Sequence, residues 1–110
     1  MTKEQLRLYR SIKIEVSQIE RRIEELERYK TEADITKPLR DLYEKKLADL
    51  IDGQLRIENA IDSLTPTERE LMRLRYIDGA DWLEVCDTIN YEWAQTHRVH
   101  ARALNKIKNL

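Results

Sequence analysis

The chain has few of the residues that build sheets, disulfides or membrane spans. Its 110 residues include two Gly, two Pro, one Cys and no Phe, and only 6% are aromatic. Sheets need frequent turns, so the scarcity of Gly and Pro favours long helices. A single Cys cannot form an intramolecular disulfide, which suits a reducing compartment. No apolar run approaches the roughly 18 residues that cross a bilayer, so we expect a soluble cytoplasmic protein without membrane contact.

Signatures of catalysis are also missing from the sequence. There is no glycine-rich phosphate loop, no spacing typical of a catalytic triad and no paired carboxylate pattern. We therefore expect a protein that is not an enzyme and that needs no cofactor. His97 and His100 are three residues apart on one predicted helix, but no Cys, Asp or Glu within that helix completes a metal site, so we expect no metal.

Charge is balanced overall, with a formal net charge of −1, but the C-terminal end is basic. From Trp93 onward there is no acidic residue. The same stretch contains the four cations Arg98, Arg102, Lys106 and Lys108. A basic final helix on a neutral chain is typical of contact with phosphates, although a solvated helix face is the simpler alternative.

The N-terminal half predicts two amphipathic helices, over residues 4–30 and 38–62. Apolar side chains repeat at alternating spacings of three and four on both, which is the heptad pattern of a coiled coil. The first helix carries Tyr9, Ile12, Val16, Ile19, Ile23 and Leu26, and the second carries Tyr43, Leu47, Leu50, Ile57, Ile61 and Leu64, with the polar Gln54 between. The short connection, residues 31–37, favours an antiparallel hairpin.

This hairpin of residues 1–62 is also predicted to associate with a second copy. Two helices make a thin core, and Gln54 interrupts one of the apolar stripes. A partner chain that covers the remaining apolar surface would stabilise the assembly, because each buried side chain contributes about 1.5–3 kcal/mol. We expect a homodimer or higher oligomer formed through residues 4–62.

Residues 63–110 predict three shorter helices. Thr65, Pro66 and Glu68 form a capping box with proline at the first helical position, which indicates the start of a helix that Asp78 and Gly79 end. Asp81 opens a short helix that ends near Ile89, and the last helix covers residues 93–108. The whole chain is therefore predicted to be all-α.

A short helix joined to the last one by about three residues has the spacing of a helix-turn-helix. In that arrangement the second helix enters the major groove of DNA and reads it from its N-terminal half. The candidate DNA-binding residues at outward positions are Trp93, Ala94, Gln95, His97, Arg98 and Arg102. Many trihelical domains bind no DNA, so the spacing alone leaves both interpretations open.

Three stretches within residues 64–110 resemble region 4 of bacterial sigma factors. Residues 64–76 are similar to the opening helix of that region, residues 82–89 to the first helix of its helix-turn-helix, and residues 102–108 to its closing run. The resemblance implies binding to double-stranded DNA at the −35 promoter element and contact with RNA polymerase. Glu92, Trp93 and Ala94 depart from the family pattern, so no known base specificity can be transferred.

A helical hairpin ahead of such a domain resembles small phage and prophage transcription regulators of the RinA and ArpU types. That comparison rests on the architecture and on residues 76–79 and Trp82. We therefore expect a transcriptional regulator of phage origin that acts with RNA polymerase. Two alternatives remain open: a DNA-recognition subunit for phage DNA packaging, like a small terminase, and a helical adaptor that binds only proteins.

Overall fold

The structure, a computed structural model, describes residues 1–30 and 33–110, and all its regular secondary structure is helical. A turn of π-helix, Arg73–Ile77, extends the fourth helix. The helices in chain order are α1 (Lys3–Arg7), α2 (Tyr9–Arg28), α3 (Lys37–Asp62), α4 (Pro66–Met72), α5 (Trp82–Ile89) and α6 (Trp93–Ile107). The prediction of an all-α hairpin followed by short helices is confirmed. Thr31 and Glu32, in the expected connection, lie outside the described residues.

No helix in the described ranges combines the length and the apolar character that a bilayer crossing requires.

The first predicted helix is divided in two, so its expected span of residues 4–30 is wrong in detail. A capping box starts α1, because Thr2 N–H donates to Gln5 Oε1 at 2.7 Å and Gln5 N–H donates to Thr2 Oγ1 at 3.3 Å. At Leu8 the backbone tightens, and its N–H donates to the Gln5 carbonyl three residues back at 3.2 Å. Leu6 and Tyr9, on either side of this turn, are both buried.

Helices α2 and α3 pack as an antiparallel pair, as predicted. Gly53 of α3 lies opposite Ile12 near the start of α2, whereas Tyr43 lies below Arg22 near the other end. Val16 and Ile19 are buried between the helices, and the rest of the predicted α2 stripe beyond Tyr9 is half-buried. One chain thus covers much of the stripe that we expected a partner to cover.

The far end of the hairpin is closed by a buried arginine. Arg40 Nη2 lies 2.7 Å from Asp34 Oδ2, and Arg40 Nε lies 3.3 Å from Glu27 Oε1. The hydrogen bond from Arg40 lowers the pKa of Asp34 to about 2. Because Glu27 belongs to α2 and Arg40 to α3, this network ties the two helices together beside their connection.

One hydrophobic core joins the near end of the hairpin to the C-terminal helices. Its buried members are Leu6, Tyr9, Ile57, Ala60, Ile61, Leu64, Leu71, Met72, Tyr76, Ala80, Val85, Val99, Ala103 and Ile107. Glu58 adds a polar link, because it accepts from the Tyr9 hydroxyl and from Arg73 Nη1, both at 2.8 Å. Burial, together with this hydrogen bond, raises the pKa of Tyr9 to about 12. A domain boundary between residues 62 and 63 stays a prediction, and the core crosses it.

The opening of α4 follows the predicted cap, but its end does not follow a simple α-helix. Thr65 N–H donates to Glu68 Oε1 at 3.1 Å. After Met72 the helix widens into the π turn, and Gly79 ends it with a φ of 74°. Ala80 N–H then donates to the Leu74 carbonyl at 2.9 Å, one residue further back than in the usual closure of a glycine-terminated α-helix, because the last turn is a π turn.

Candidate DNA-binding surface

A three-residue turn connects α5 to α6, as the sequence predicts. Asn90 adopts the left-handed conformation, with φ 58° and ψ 43°. The next N–H, from Tyr91, donates to the Cys86 carbonyl at 3.1 Å. Glu92 returns to extended backbone and caps α6. A left-handed Asn is a common way to end a helix sharply, so this turn fixes the angle at which α6 leaves α5.

Helix α6 has a buried face and an exposed face. The buried residues are Thr96, Val99, His100, Ala103 and Ile107. The exposed ones are Trp93, Ala94, Gln95, Arg98, Ala101, Arg102, Asn105 and Lys106. The exposed face contains three cations and no acid, so it is basic, although Arg102 and Lys106 share the carboxylate of Glu68 from α4.

Five of the six predicted DNA-binding residues lie together on the first turns of α6. Trp93, Ala94, Gln95 and Arg98 are exposed, and His97 is half-buried. Gln95 Oε1 accepts from Glu92 N–H at 3.4 Å, so in this structure the side chain also helps to cap the helix. Arg98 forms neither an ion pair nor a side-chain hydrogen bond with any residue the structure describes.

His97 lies between two tryptophans. Its ring centroid is 4.5 Å from that of Trp93 on its own helix and 4.5 Å from that of Trp82 at the start of α5. Its Nε2 atom is buried without a hydrogen-bond partner in the described part of the chain. The three rings form a continuous aromatic bridge from the first turn of α5 to the first turn of α6.

Arg102, the sixth predicted residue, lies further along α6 and binds another side chain. Its Nε donates to Glu68 Oε2 at 2.9 Å, and Lys106 Nζ donates to Glu68 Oε1 at 2.8 Å. Glu68 is fully buried. Burial by itself would raise its pKa, but hydrogen bonds from Lys106, Arg102 and Thr65 outweigh that effect and lower the pKa to about 2. Contact of Arg102 with DNA stays a prediction.

His100 lies on the inner side of α6. Its Nε2 is 2.7 Å from the Tyr76 hydroxyl, and its ring meets Trp82 edge-on at 4.7 Å. Burial, reinforced by the nearby positive charges of Lys3, His97, Arg75 and Arg7, lowers the pKa of His100 to about 4. In the described residues no group of three or more His, Cys, Asp or Glu is placed to hold a metal ion.

Sequence reasoning missed a set of cations beside this surface. Lys3, Arg7 and Arg10 from the N-terminal helices lie near Arg75 of the π turn. The sequence does contain an indication of this basic surface. Residues 5–14 include no acid, and Lys3, Arg7 and Arg10 recur at helical spacing. The overall net charge of −1 does not reveal these cations, because the acids of α2 and α3 balance them.

Helices α4 to α6 have the connectivity of a helix-turn-helix domain. A short turn joins α5 to α6, and the exposed face of α6 is basic.

Two curated relatives are similar to this protein over most of the chain. The RNA polymerase sigma factor TcsR of Paraclostridium sordellii strain ATCC 9714 is 28% identical over 102 residues, which is 93% of this chain and 57% of that protein. A second TcsR sequence from Paraclostridium sordellii is 27% identical over 103 residues, again with 57% of its length covered.

This chain therefore spans little more than half the length of these relatives. No family model matches the chain, and no solved structure matches it. The similarity extends beyond the stretch that resembles region 4 and includes most of the hairpin. Resemblance to phage regulators of the RinA and ArpU types stays a prediction.

Proposed function

We propose that this chain is a DNA-binding transcription regulator that recognises promoter DNA through α6 and acts with RNA polymerase. The observation that carries the proposal is the acid-free exposed face of α6, displayed behind a three-residue turn. The similarity of the chain to an RNA polymerase sigma factor supports the same function. Nothing in the arrangement requires catalysis, because binding and recruitment suffice for regulation.

In this proposal the two helices of the motif have different tasks. Helix α5 is short and packs on α6, so it braces the reading helix against the core. The major groove, about 12 Å wide, admits one α-helix. With α6 in the groove, Gln95 and Arg98 reach base edges, and Trp93 at the leading end is placed to contact a thymine methyl or stack on a base.

Arg98→Ala is expected to weaken DNA binding by roughly 1–3 kcal/mol if the guanidinium reads a base. The melting temperature should hardly change, because Arg98 is exposed and has no ion pair in the described residues. Binding is measured by fluorescence anisotropy on a duplex selected from a random pool. Lys45→Ala, an exposed cation in the middle of α3, is the matched control and should bind normally.

Failure of wild-type protein to enrich any duplex would overturn DNA recognition. A normal affinity for the Arg98→Ala variant and for a Gln95→Ala variant would instead show that α6 is not the reading helix. A reporter transcribed from a promoter with the selected site tests regulation itself. Binding without any effect on transcription would favour a DNA-packaging role, and absence of DNA binding would favour a protein adaptor.

Self-association through the hairpin is a second part of the proposal. Its support is the apolar side chains that remain exposed, among them Ile14 on α2 and Leu42, Ile51 and Leu55 on α3. Ile51→Asp combined with Leu55→Asp should convert an oligomer to a monomer without loss of helicity, since neither residue is buried. Sedimentation of wild type and variant measures this. A wild-type protein that is monomeric at micromolar concentration would contradict the prediction.

A further inference from the structure

A basic pocket lies where the N-terminal helices meet the π turn and the start of α5. It encloses about 260 Å³. Its lining residues are Lys3, Arg7, Arg10, Arg75, Tyr76, Gly79 and Trp82. Four of these seven carry positive charge and none is acidic, although the chain as a whole has a net charge of −1. Positive charge is thus concentrated in this pocket.

The four cations of the basic pocket form no ion pair with any residue that the structure describes. Among residues 1–30 and 33–110, none of them lies within 4.0 Å of a carboxylate oxygen. Other arginines of the same fold are paired, as Arg40 is with Asp34 and Arg73 with Glu58. Like charges held close together repel each other, so this pocket is more stable when an anion occupies it.

The fold holds the Arg75 guanidinium in place and brings that of Arg10 against the backbone of Gly79. Arg75 Nη1 donates to the Ala80 carbonyl at 3.0 Å, and its guanidinium lies 4.7 Å from the centre of the Trp82 ring. The Arg10 guanidinium covers Gly79 so closely that a Cβ at that position would collide with it. Ordered arginines lose little further side-chain entropy when they bind an oxyanion, and their planar fork matches phosphate oxygens.

The basic pocket is continuous with the aromatic bridge between α5 and α6. Trp82 lines the pocket, packs on His97, and through it reaches Trp93 at the leading end of α6. Each of these ring contacts is 4.5 Å, so the pocket lies beside the predicted reading helix. When a helix occupies the major groove, the phosphates of both strands line the groove edges within reach of such flanking residues.

We propose that the basic pocket binds a backbone phosphate of the DNA that α6 reads. The inference rests on the proposed function. Arg7, Lys3 and Arg75 neutralise the phosphate, and the N-terminal helix thereby becomes part of the DNA-binding surface. A second groove next to the pocket contains Arg10, Lys13 and Arg21 together with Asp78, and extends the positive surface along α2. Phosphate contacts of this kind add affinity and fix orientation without reading sequence.

The test neutralises two pocket cations in the full chain. Lys3→Gln with Arg7→Gln should weaken binding to the selected duplex and to an unrelated duplex by the same factor. The slope of log affinity against log salt concentration should become shallower by about 1 for each phosphate that the variant no longer binds. Lys45→Gln with Lys46→Gln removes the same charge from the middle of α3 and should leave the slope almost unchanged.

The outcomes separate this inference from the proposed function. If wild-type protein binds DNA and the Lys3/Arg7 variant shows a wild-type slope with unchanged helicity, the pocket does not hold a DNA phosphate and only the inference fails. If wild-type protein binds no duplex, both fail. A third arm titrates inorganic pyrophosphate and follows tryptophan fluorescence. A response that the variant abolishes, with DNA binding unaffected, would assign the pocket to a free anion and overturn the DNA assignment.

Discussion

Glu68→Ala is expected to lower the free energy of unfolding by about 3 kcal/mol at neutral pH. The carboxylate is buried and performs three tasks: it accepts from Thr65 N–H at the start of α4 and from Arg102 and Lys106 of α6. Loss of a helix cap costs about 1 kcal/mol. The rest of the destabilisation comes from the lost hydrogen bonds to Arg102 and Lys106. Both cations are partly exposed and can be solvated in the variant. The destabilisation is therefore smaller than when a fully buried ion pair is broken.

Urea unfolding of three variants measures this effect. Glu68→Gln keeps an oxygen for the Thr65 cap but loses the charge, so its destabilisation should be smaller. Glu70→Ala removes an exposed acid from the same helix and should be nearly neutral. The pKa of Glu68 lies below its unfolded value, so its charge stabilises the fold above about pH 4.5, and this contribution disappears as the pH falls toward about 2. Equal stability of the Glu68→Ala and Glu70→Ala variants would contradict the assignment.

The sequence predicted the contacts that are local along the chain. The cap of α4 was visible because Thr65 and Glu68 are three residues apart, and the hairpin was visible because its apolar stripes repeat along each helix. Glu68 was expected only to cap its helix. Its pairing with Arg102 bridges 34 positions and depends on how α4 packs against α6, which periodicity does not encode.

The same argument applies to the candidate DNA-binding surface. The exposed positions on α6 followed from helical spacing, and four of the six predicted residues lie exposed on its first two turns. The basic pocket did not follow from spacing, because Lys3 and Arg75 meet only after the N-terminal helix joins the C-terminal core. Leu6 and Tyr9 bring about that meeting by burial among residues of α3, the π turn and α6. The cations of the basic pocket therefore come together only through tertiary packing, and the sequence of any one helix does not predict the pocket.

Acid should destabilise the fold through His100 at a pH well above the lowered pKa values of Glu68 and Asp34. Its pKa is about 4 in the folded protein and about 6.5 when unfolded, so the unfolded chain binds the extra proton first. The contribution of neutral His100 to the free energy of unfolding is fully present above about pH 6.5 and is lost as the pH drops toward 4. The total loss is on the order of 3 kcal/mol, with a slope of at most about 1.4 kcal/mol per pH unit. Below that range Glu68 and Asp34, whose pKa values are both lowered to about 2, contribute to the pH dependence.

The surroundings of His100 explain why protonation is costly and supply the control. The imidazole is buried between Tyr76 and Trp82, and Lys3, Arg7, Arg75 and His97 are the charged groups that oppose a further proton. His100→Gln retains a group able to hydrogen bond to the Tyr76 hydroxyl but does not titrate. Urea unfolding of this variant should therefore vary much less with pH between 6.5 and 4.5, even if its stability at pH 7 is lower. A wild-type protein whose unfolding free energy is the same at pH 7 and pH 4.5 would show that His100 is not held neutral by the fold.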